Sequence, residues 1–438
     1  MEETIVLLTR EGQTRILGLS LLERLILYGQ KAGLRKFWLC SDEAGQAREV
    51  LEKLRSDRRF SPEKIELASC TLEDIRVLEA GQNGNSHVLV LEDNLAVHPD
   101  FFTSIVRANG RGPGEDLILL NPNGSYASEQ PGRPGAFLVN REIIGNLLPA
   151  LVRSTGTGPD GLEKIKDSIS TAQLRVDCPF AIRVDGPEAA RQAEKLLLET
   201  GRKPVDGYIT RVFFRPLSLR LTRNLIRWGL TPNQISLIVL AVELLSVYLI
   251  FQGRYASMAL GSFLFLVASV IDCCDGENAR LTCRVSRFGT IFDISADAFL
   301  YVTFFTVLPL GLYRATSSET WMYVGAFGWL SMVSFYLEMI YYARRAGIGF
   351  NIVPIAREIE TSIQDPEFQT RADLLAARIA FIYRRDFFTT LAFVLVALGQ
   401  ARLLALLVSF FAFLEAAYFG SWSRRQLRKK ALDKLQTA

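Results

Sequence analysis

The stretch that decides the fold reads IDCCDGENARLTCRVSRFGTIFDISADAF over residues 271–299, and long apolar segments flank it on both sides. Asp272 and Asp275 are three residues apart, and Asp293 and Asp297 are four apart. On α-helices these spacings place each pair on one face. We therefore expect two helices, joined by a short basic turn, that present four carboxylates to one shared point.

Carboxylates next to lipid need a partner. On a lenient insertion scale one carboxylate at the bilayer centre costs about 2.5–3.5 kcal/mol, so four would cost on the order of 10 kcal/mol. Hard divalent cations such as Mg²⁺ or Mn²⁺ prefer oxygen ligands. The pattern predicts a cation site, and we expect two ions; a buried charge cluster that serves packing or a proton path is the alternative.

The complete spacing is D-x2-D-G-x2-A-R-x8-G-x3-D-x3-D, and it resembles the signature of the CDP-alcohol phosphotransferase family of integral membrane enzymes. The resemblance implies transfer of an alcohol-phosphate group from a CDP-alcohol to an acceptor hydroxyl, with release of CMP, and a homodimer. It assigns the general base to Asp297. The metal ligands would be Asp272, Asp275, Asp293 and Asp297, and the CDP-binding residues would be Asp272, Asp275, Gly276, Ala279, Arg280 and Gly289.

Composition divides the chain into two dissimilar halves. Of its 438 residues 49% are hydrophobic and 22% charged, but residues 1–200 have the composition of a soluble protein and residues 230–425 are mostly apolar. The six cysteines show no metal-site or disulfide spacing, and we expect no nucleic-acid partner. We predict a cytosolic α/β domain at 1–200, a basic amphipathic segment at 201–233 and a membrane domain of six transmembrane helices at 234–438.

Residues 1–200 alternate strand and helix patterns, which favours a doubly wound, mostly parallel sheet. Ligands bind beyond the carboxyl ends of the strands in such sheets. Asp93 and Asp185 each follow a predicted strand directly. The predicted strands are Ile5–Thr9, Phe37–Ser41, Ile65–Ser69, His87–Glu92, Asp116–Asn121, Ala136–Asn140 and Ala181–Val184, and the predicted helices are Leu19–Lys31, Ala44–Ser56, Thr71–Ala80 and Pro187–Thr200.

This half resembles the sugar-phosphate nucleotidyltransferases. The segments TREGQTR (9–15), LLERLILYGQKAGL (21–34), LEDNLAVHPDF (91–101) and RVDGPEAARQAEKLL (183–197) carry the likeness, and the family's metal-binding aspartates fall on Asp93 and Asp185. The fusion resembles archaeal bifunctional proteins that join an inositol-phosphate cytidylyltransferase to a di-inositol-phosphate-phosphate synthase. The phosphate loop, however, has only Gly12, and Ile16–Leu22 lacks the expected lysine. We therefore expect a degenerate domain; a bifunctional enzyme is the alternative.

Six apolar segments follow the linker, and their flanking charges indicate the topology. Lysine and arginine concentrate on one side of the predicted membrane, with only Arg254, Arg314 and Arg402 on the other. The positive-inside rule then predicts a multi-pass protein of the cell membrane, with both termini and the motif on the cytoplasmic side. The segments are Gln234–Phe251, Ser257–Asp272, Ile291–Leu312, Trp321–Tyr342, Phe387–Leu398 and Leu403–Ser421.

Several charged residues near these segments have open roles. Arg384 and Arg385 precede the fifth segment, where they would bind a phosphate or anchor the helix at the membrane surface. Glu243 lies inside the first segment, and the pattern assigns it no role. An ion-coupled transporter is the remaining alternative from another class. The donor alcohol and the acceptor, a lipid or a polyol phosphate, stay open at this stage, as does the product, a phospholipid or a polyol phosphodiester.

Overall fold

The computed structural model of the chain describes residues 3–9, 11–41, 44–60, 65–70, 87–108, 117–122, 136–140, 143–144, 147, 171–203, 206–285, 287–347, 355, 358–359, 370–371, 373–375 and 380–436. The chain divides into two compact units. The first comprises Met1–Lys203, Arg223–Gly229 and Asn278–Arg284. The second comprises Pro204–Thr222, Leu230–Glu277 and Val285–Ala438.

The first unit is built on a seven-stranded sheet whose strands follow the order β10-β8-β9-β6-β1-β4-β5. Strand β9 is antiparallel to both its neighbours, and the other pairs are parallel. The short pairs β2–β3 and β7–β11 are antiparallel and separate from this sheet. The strands are β1 (Glu3–Leu7), β2 (Arg15–Ile16), β3 (Leu19–Ser20), β4 (Lys36–Cys40), β5 (Glu66–Cys70), β6 (His87–Glu92), β7 (Leu95–Val97), β8 (Leu117–Pro122), β9 (Ala136–Asn140), β10 (Thr171–Val176) and β11 (Ala181–Arg183).

Both faces of this sheet are buried. Val6 of β1 packs into one apolar cluster, whereas its neighbours Ile5 and Leu7 pack into another on the opposite face. Burial on both sides explains why the central strands read as continuous apolar runs rather than as an alternating pattern. The described helices of this unit are α1 (Leu21–Lys31), α2 (Ala44–Arg55), α3 (Phe101–Ala108) and α4 (Pro187–Glu199).

The mostly parallel α/β architecture agrees with the sequence-based expectation, and the strand positions agree to within two residues. The expected helix Thr71–Ala80 lies outside the described residues. The described elements that were not predicted are the short strands β2, β3 and β7, the strand β10 and the helix α3. Helix α3 has only eight residues, FFTSIVRA, too few for a helical period to stand out.

The second unit is helical. A π-helical turn at Thr210–Phe214 leads into α5 (Arg215–Arg227), whose last turn belongs to the first unit. Helix α6 starts with a capping box, in which Thr231 and Gln234 satisfy each other's backbone N–H groups and Pro232 occupies the first turn. The remaining helices are α6 (Pro232–Phe251), α7 (Tyr255–Leu281), α8 (Arg287–Thr316), α9 (Thr320–Ala346), α10 (Arg385–Ala397) and α11 (Ala401–Gln436).

Four of the described helices are long and apolar enough to cross a membrane: α6, α7, α9 and α11. Helix α8 has 30 residues, but the side chains of 287–298, 300 and 301 lie outside the described set. Helix α10 has 13 residues. At 1.5 Å per residue it is about 20 Å long, short of the roughly 30 Å hydrocarbon core. Among the described residues, four helices therefore qualify as membrane spans by length and composition.

Small residues let these helices approach closely. A Cβ added to Gly261 of α7 would lie 2.8 Å from the carbonyl oxygen of Ser246 on α6, and the Ser246 hydroxyl donates to the Gly261 carbonyl at 2.7 Å. A Cβ on Gly311 of α8 would lie 2.4 Å from the carbonyl oxygen of Ile250. Small residues at helix contacts are typical of membrane proteins, where close packing replaces the hydrophobic drive for association.

Candidate active site

The first aspartate pair lies on one uninterrupted helix, α7, as its spacing predicts. Asp272 and Asp275 are separated by three residues and therefore by nearly one turn. The Asp272 side chain keeps 35% of its surface exposed, whereas Asp275 is 8% exposed. The Ser236 hydroxyl of α6 donates to Oδ2 of Asp275 at 2.8 Å. One carboxylate of the pair is thus enclosed and held, and the other is more open.

The second aspartate pair lies on α8. Gly289, Asp293 and Asp297 all fall within this helix, and the two aspartates are one turn apart along its backbone. Their side chains lie outside the described residues. The convergence of the two pairs on one point therefore stays a prediction.

Arg385 contacts the first pair and also explains Glu243. Its Nη1 lies 3.2 Å from Oδ2 of Asp272, and its Nη2 lies 2.5 Å from Oε1 of Glu243. Its Nε donates to the Ser269 hydroxyl at 3.4 Å. The residue was predicted as a phosphate ligand or a membrane anchor, and among the described residues it has two carboxylate partners. Sequence reasoning missed this link because the two acids and the arginine come from three separate helices.

The residues beside Arg385 fix the start of α10. Arg384 occupies the N-cap position. Asp386 is buried, and its Oδ2 accepts hydrogen bonds from the backbone N–H and the hydroxyl of Thr210, at 2.9 and 2.8 Å. A Cβ on Gly207 would lie 2.5 Å from the same oxygen, so only glycine fits there without a shift.

Glu277 is a buried acid in the motif that the spacing does not single out. It is fully buried, and its Oε1 accepts hydrogen bonds from Arg215 and from the Ser218 hydroxyl at 2.6 Å. Its Oε2 accepts from the Thr222 hydroxyl at 2.6 Å. Arg215 also reaches Asp206 through two hydrogen bonds of 2.6 and 2.8 Å. The acid lies two residues beyond Asp275, which points it toward α5 instead of toward the other aspartates.

This network accounts for the electrostatics of Arg215 and the orientation of α5. Burial alone would lower the pKa of Arg215, but its hydrogen bonds to Asp206 and Glu277 outweigh that effect and hold the pKa above its ordinary value. Arg215, Ser218 and Thr222 of α5 are buried, whereas Leu217 of the same helix and Phe213 of the preceding turn are exposed. An outward apolar face next to spanning helices is typical of a helix at a membrane surface.

The last motif residues belong to the first unit. Arg280, predicted as a CDP-binding residue, donates to the Gly201 carbonyl through Nε at 3.0 Å and Nη2 at 2.5 Å. The buried Arg24 of α1 donates to the Leu281 carbonyl at 2.8 Å. The carbonyls at a helix C-terminus lack partners within the helix, so Arg24 satisfies the end of α7. Gly276 and Ala279 are both half-buried positions on the same helix.

Of the two aspartates singled out in the first unit, Asp93 contacts the loop at Thr9, and Asp185 contacts the residue that follows Asp93 in sequence. Asp93 is buried at the end of β6, and its neighbour Asn94 donates to Oδ1 of Asp185 at 2.9 Å. Oδ1 of Asp93 accepts from the backbone N–H and the hydroxyl of Thr9, at 2.8 and 2.6 Å. A Cβ on Gly12 would lie 1.9 Å from the Asp93 carboxylate. The loop at 9–15 therefore packs directly against Asp93.

Burial raises the pKa of Asp93 to about 7, and the nearby carboxylates of Glu92 and Glu11 add to the rise, whereas the hydrogen bonds from Thr9 oppose it. Its Oδ2 is buried and finds no hydrogen-bond partner among the described residues. The Glu11 carboxylate, which lies close enough to raise the pKa of Asp93, and the packing of Gly12 against Asp93 disfavour the binding of a triphosphate at this position.

The chemistry of the motif suits a hard cation. Asp272 and Asp275 supply carboxylate oxygens, which Mg²⁺ and Mn²⁺ prefer, and Ser236 and Arg385 hold those carboxylates in place. Within the described part of the chain no group of three His, Cys, Asp or Glu side chains comes together as a metal site. A complete set of four therefore requires Asp293 and Asp297.

Comparison with known proteins gives a consistent picture. Residues 229–364 match the sequence model of the CDP-alcohol phosphatidyltransferase family. A protein of Aquifex aeolicus named "Bifunctional IPC transferase and DIPP synthase" is 32% identical over 160 residues, 36% of this chain and 36% of that protein. A protein of Thermococcus kodakarensis with the same name is 25% identical over 409 residues, 87% of this chain and 90% of that protein.

Among solved structures, the inositol-1-phosphate CTP transferase from T. maritima covers 45% of this chain and 96% of its own, with 12% identity and a TM-score of 0.31. The chain aligns with about a third of the length of the Aquifex aeolicus relative. The family match includes the whole segment 271–299.

Proposed function

We propose that the CDP-alcohol phosphatidyltransferase domain in the C-terminal half of this chain moves the alcohol-phosphate group of a CDP-alcohol onto an acceptor hydroxyl and releases CMP. The observation that carries the proposal is the family match over residues 229–364, which includes all four motif aspartates. The placement of Asp272 and Asp275 one turn apart on α7 supports it.

In this proposal Asp272, Asp275, Asp293 and Asp297 hold two divalent cations, Mg²⁺ or Mn²⁺. When bound, such ions neutralise the charge of the pyrophosphate and orient its oxygens. The acceptor oxygen attacks the phosphorus next to the donor alcohol, and the bond from that phosphorus to CMP breaks. Asp297 accepts the proton of the acceptor hydroxyl.

The small residues of the motif leave room for the donor. Gly276 and Ala279 carry little or no side chain, so a nucleotide can approach the backbone of α7 closely, and Gly289 gives α8 the same property. Arg280 is engaged by the Gly201 carbonyl, so in this proposal its contribution to CDP binding is to fix the end of α7.

We further propose that all six helices α6–α11 lie in the cell membrane, with the first unit and the motif on the cytoplasmic side. The four apolar helices and the distribution of arginine and lysine support this topology. A water-soluble nucleotide then enters the site from the cytosol, and a membrane lipid reaches it from the side. A homodimer stays an expectation from the family resemblance.

The test is CMP release by the purified full chain in detergent, with Mg²⁺ and a panel of CDP-alcohols and acceptor alcohols. We expect release with at least one pair, and we expect Asp297→Asn to abolish turnover while CDP and metal binding persist. An ion-coupled transporter would release no CMP from any donor and would bind CDP no less well after Asp275→Ala. Appreciable turnover by Asp297→Asn would refute the assignment of the base.

A second candidate is a bifunctional enzyme whose first unit makes the CDP-alcohol from CTP. The observation that favours it is the alignment with the Thermococcus kodakarensis protein, whose name states two activities and which matches 87% of this chain. The packing of Gly12 against Asp93 argues for a scaffolding role instead. Incubating the full-length Asp297→Asn variant with CTP, Mg²⁺ and inositol phosphate distinguishes them: pyrophosphate release would establish the second activity.

A further inference from the structure

Glu243 is an acidic side chain that the proposed chemistry does not use. It lies in the middle of α6, the first apolar helix, and is only 1% exposed. An acid at such a position is costly unless it is paired, and it is therefore a functional candidate by default. Among the described residues, Glu243 pairs across the helices with Arg385 of α10, which lies 142 residues away in sequence.

The Arg385 guanidinium joins three helices at the motif. One arm contacts Glu243 of α6 at 2.5 Å, the other contacts Asp272 of α7 at 3.2 Å, and Nε faces the Ser269 hydroxyl one turn before Asp272. Of the two ion pairs that the described residues form with Arg385, the contact with Glu243 is the shorter, and Glu243 is the more deeply buried acid. Charge-assisted hydrogen bonds are short and strong, so Glu243 is the stronger of these two partners.

Because Arg385 uses one arm for Glu243 and the other for Asp272, it binds Asp272 only in part. Arg385 contacts Asp272 through one oxygen, Oδ2. A metal ligand must keep its negative charge and at least one oxygen free for the cation. If Arg385 turned both arms to Asp272, the resulting bidentate pair would neutralise that carboxylate and compete with the ion.

We propose that Glu243 is a positioning residue of the cation site: it holds one arm of Arg385 and thereby keeps the Asp272 carboxylate available to a divalent cation. The inference rests on the proposed function, in which Asp272 is a metal ligand. Glu243 itself touches neither substrate nor cation and acts through Arg385.

The experiment measures Mn²⁺ binding to the full chain in detergent, with free Mn²⁺ followed by electron paramagnetic resonance. Loss of a side chain that orients a metal ligand typically weakens metal affinity about 10- to 100-fold, and we expect that loss for Glu243→Gln. The released guanidinium causes the loss, so the double variant Glu243→Gln/Arg385→Gln should recover most of it. Thermal unfolding in metal-free buffer checks that each variant is folded.

Glu338→Gln is the matched control. Glu338 is another acid within an apolar helix, α9, and it accepts a hydrogen bond from the Ser423 hydroxyl of α11 at 3.4 Å. Its replacement should leave the Mn²⁺ dissociation constant unchanged. An effect as large as that of Glu243→Gln would show that any lost acid in the membrane weakens binding, and it would overturn the proposal.

Two further outcomes overturn it. An unchanged Mn²⁺ dissociation constant in Glu243→Gln would remove Glu243 from the cation site, while CMP release by the unmodified protein would still support the transferase. A double variant as weak as the single one would show that Glu243 acts through packing and not through Arg385. Failure of the unmodified protein to bind Mn²⁺ would overturn the metal-dependent function together with this inference.

Discussion

Replacing Glu277 with glutamine tests whether the buried network around Arg215 holds the motif helix in place. The substitution keeps the shape of the side chain and removes its charge. Glu277 is fully buried and accepts hydrogen bonds from Arg215, Ser218 and Thr222. After the change Arg215, itself buried, keeps Asp206 as its charged partner.

The magnitude follows from the burial. Removing one partner of a buried ion pair costs about 3–5 kcal/mol, because the other charge stays enclosed without full compensation. For a domain of 150–250 residues, 1 kcal/mol shifts Tm by about 2–4 °C. We therefore expect the apparent Tm of the helical unit to fall by about 6–20 °C.

The assay is thermal unfolding of the full chain in one detergent, followed by tryptophan fluorescence. Glu319→Gln serves as the control, since Glu319 is exposed at the start of α9 and makes no side-chain cap. An exposed substitution of this kind changes stability by less than about 0.5 kcal/mol. A Glu277→Gln protein with the Tm of the control would refute the argument that this network stabilises the motif helix.

Two further predictions concern the first unit. The folded pKa of Asp93 is about 7 and its ordinary value is 3.8, so between these pH values the folded chain holds a proton that the unfolded chain has lost. Stability should therefore fall by about 2.5 kcal/mol as pH rises from 5 to 7.5, and Asp93→Asn should flatten this dependence in thermal unfolding scans. An equally steep profile in the variant would contradict the assignment. Gly12→Ala places a methyl group against the Asp93 carboxylate and should lower the free energy of unfolding by about 1–3 kcal/mol, measured as a lowered unfolding midpoint. Gly45→Ala is the control, because a Cβ added there meets nothing within 4 Å. An unchanged midpoint in Gly12→Ala would show that the loop at 9–15 does not pack against Asp93.

The elements that the sequence predicted best depend on local periodicity. The spacing of Asp272 and Asp275 is three residues, and any helix brings such a pair to one face, so their placement on α7 needed no tertiary information. The strands of the first unit were found for a similar reason, because burial on both faces produces uninterrupted apolar runs bounded by turn residues. The short helix α3 and the strand β10 carry no such signal.

The assignment of roles to single charges needed the tertiary structure. Arg385 reads from sequence as a basic residue at the start of an apolar helix, which suits an anchor or a phosphate ligand equally. Only the packing of α6, α7 and α10 shows that it pairs with the carboxylates of Glu243 and Asp272. The role of Glu277 also needed the structure: in sequence it lies among the motif residues, and only the fold shows that its side chain faces α5.

The sequence by itself determined that this chain has an α/β half and an apolar helical half, and it predicted that four aspartates at helical spacing form the chemical centre. These features follow from composition and from the period of a single helix. The tertiary structure decided which groups partner each buried charge: Arg385 pairs with Glu243 and Asp272, Arg215 pairs with Asp206 and Glu277, and Thr9 donates hydrogen bonds to Asp93. Such pairs join residues that are distant along the chain, and a buried charge is stabilised only by the group that the fold brings next to it.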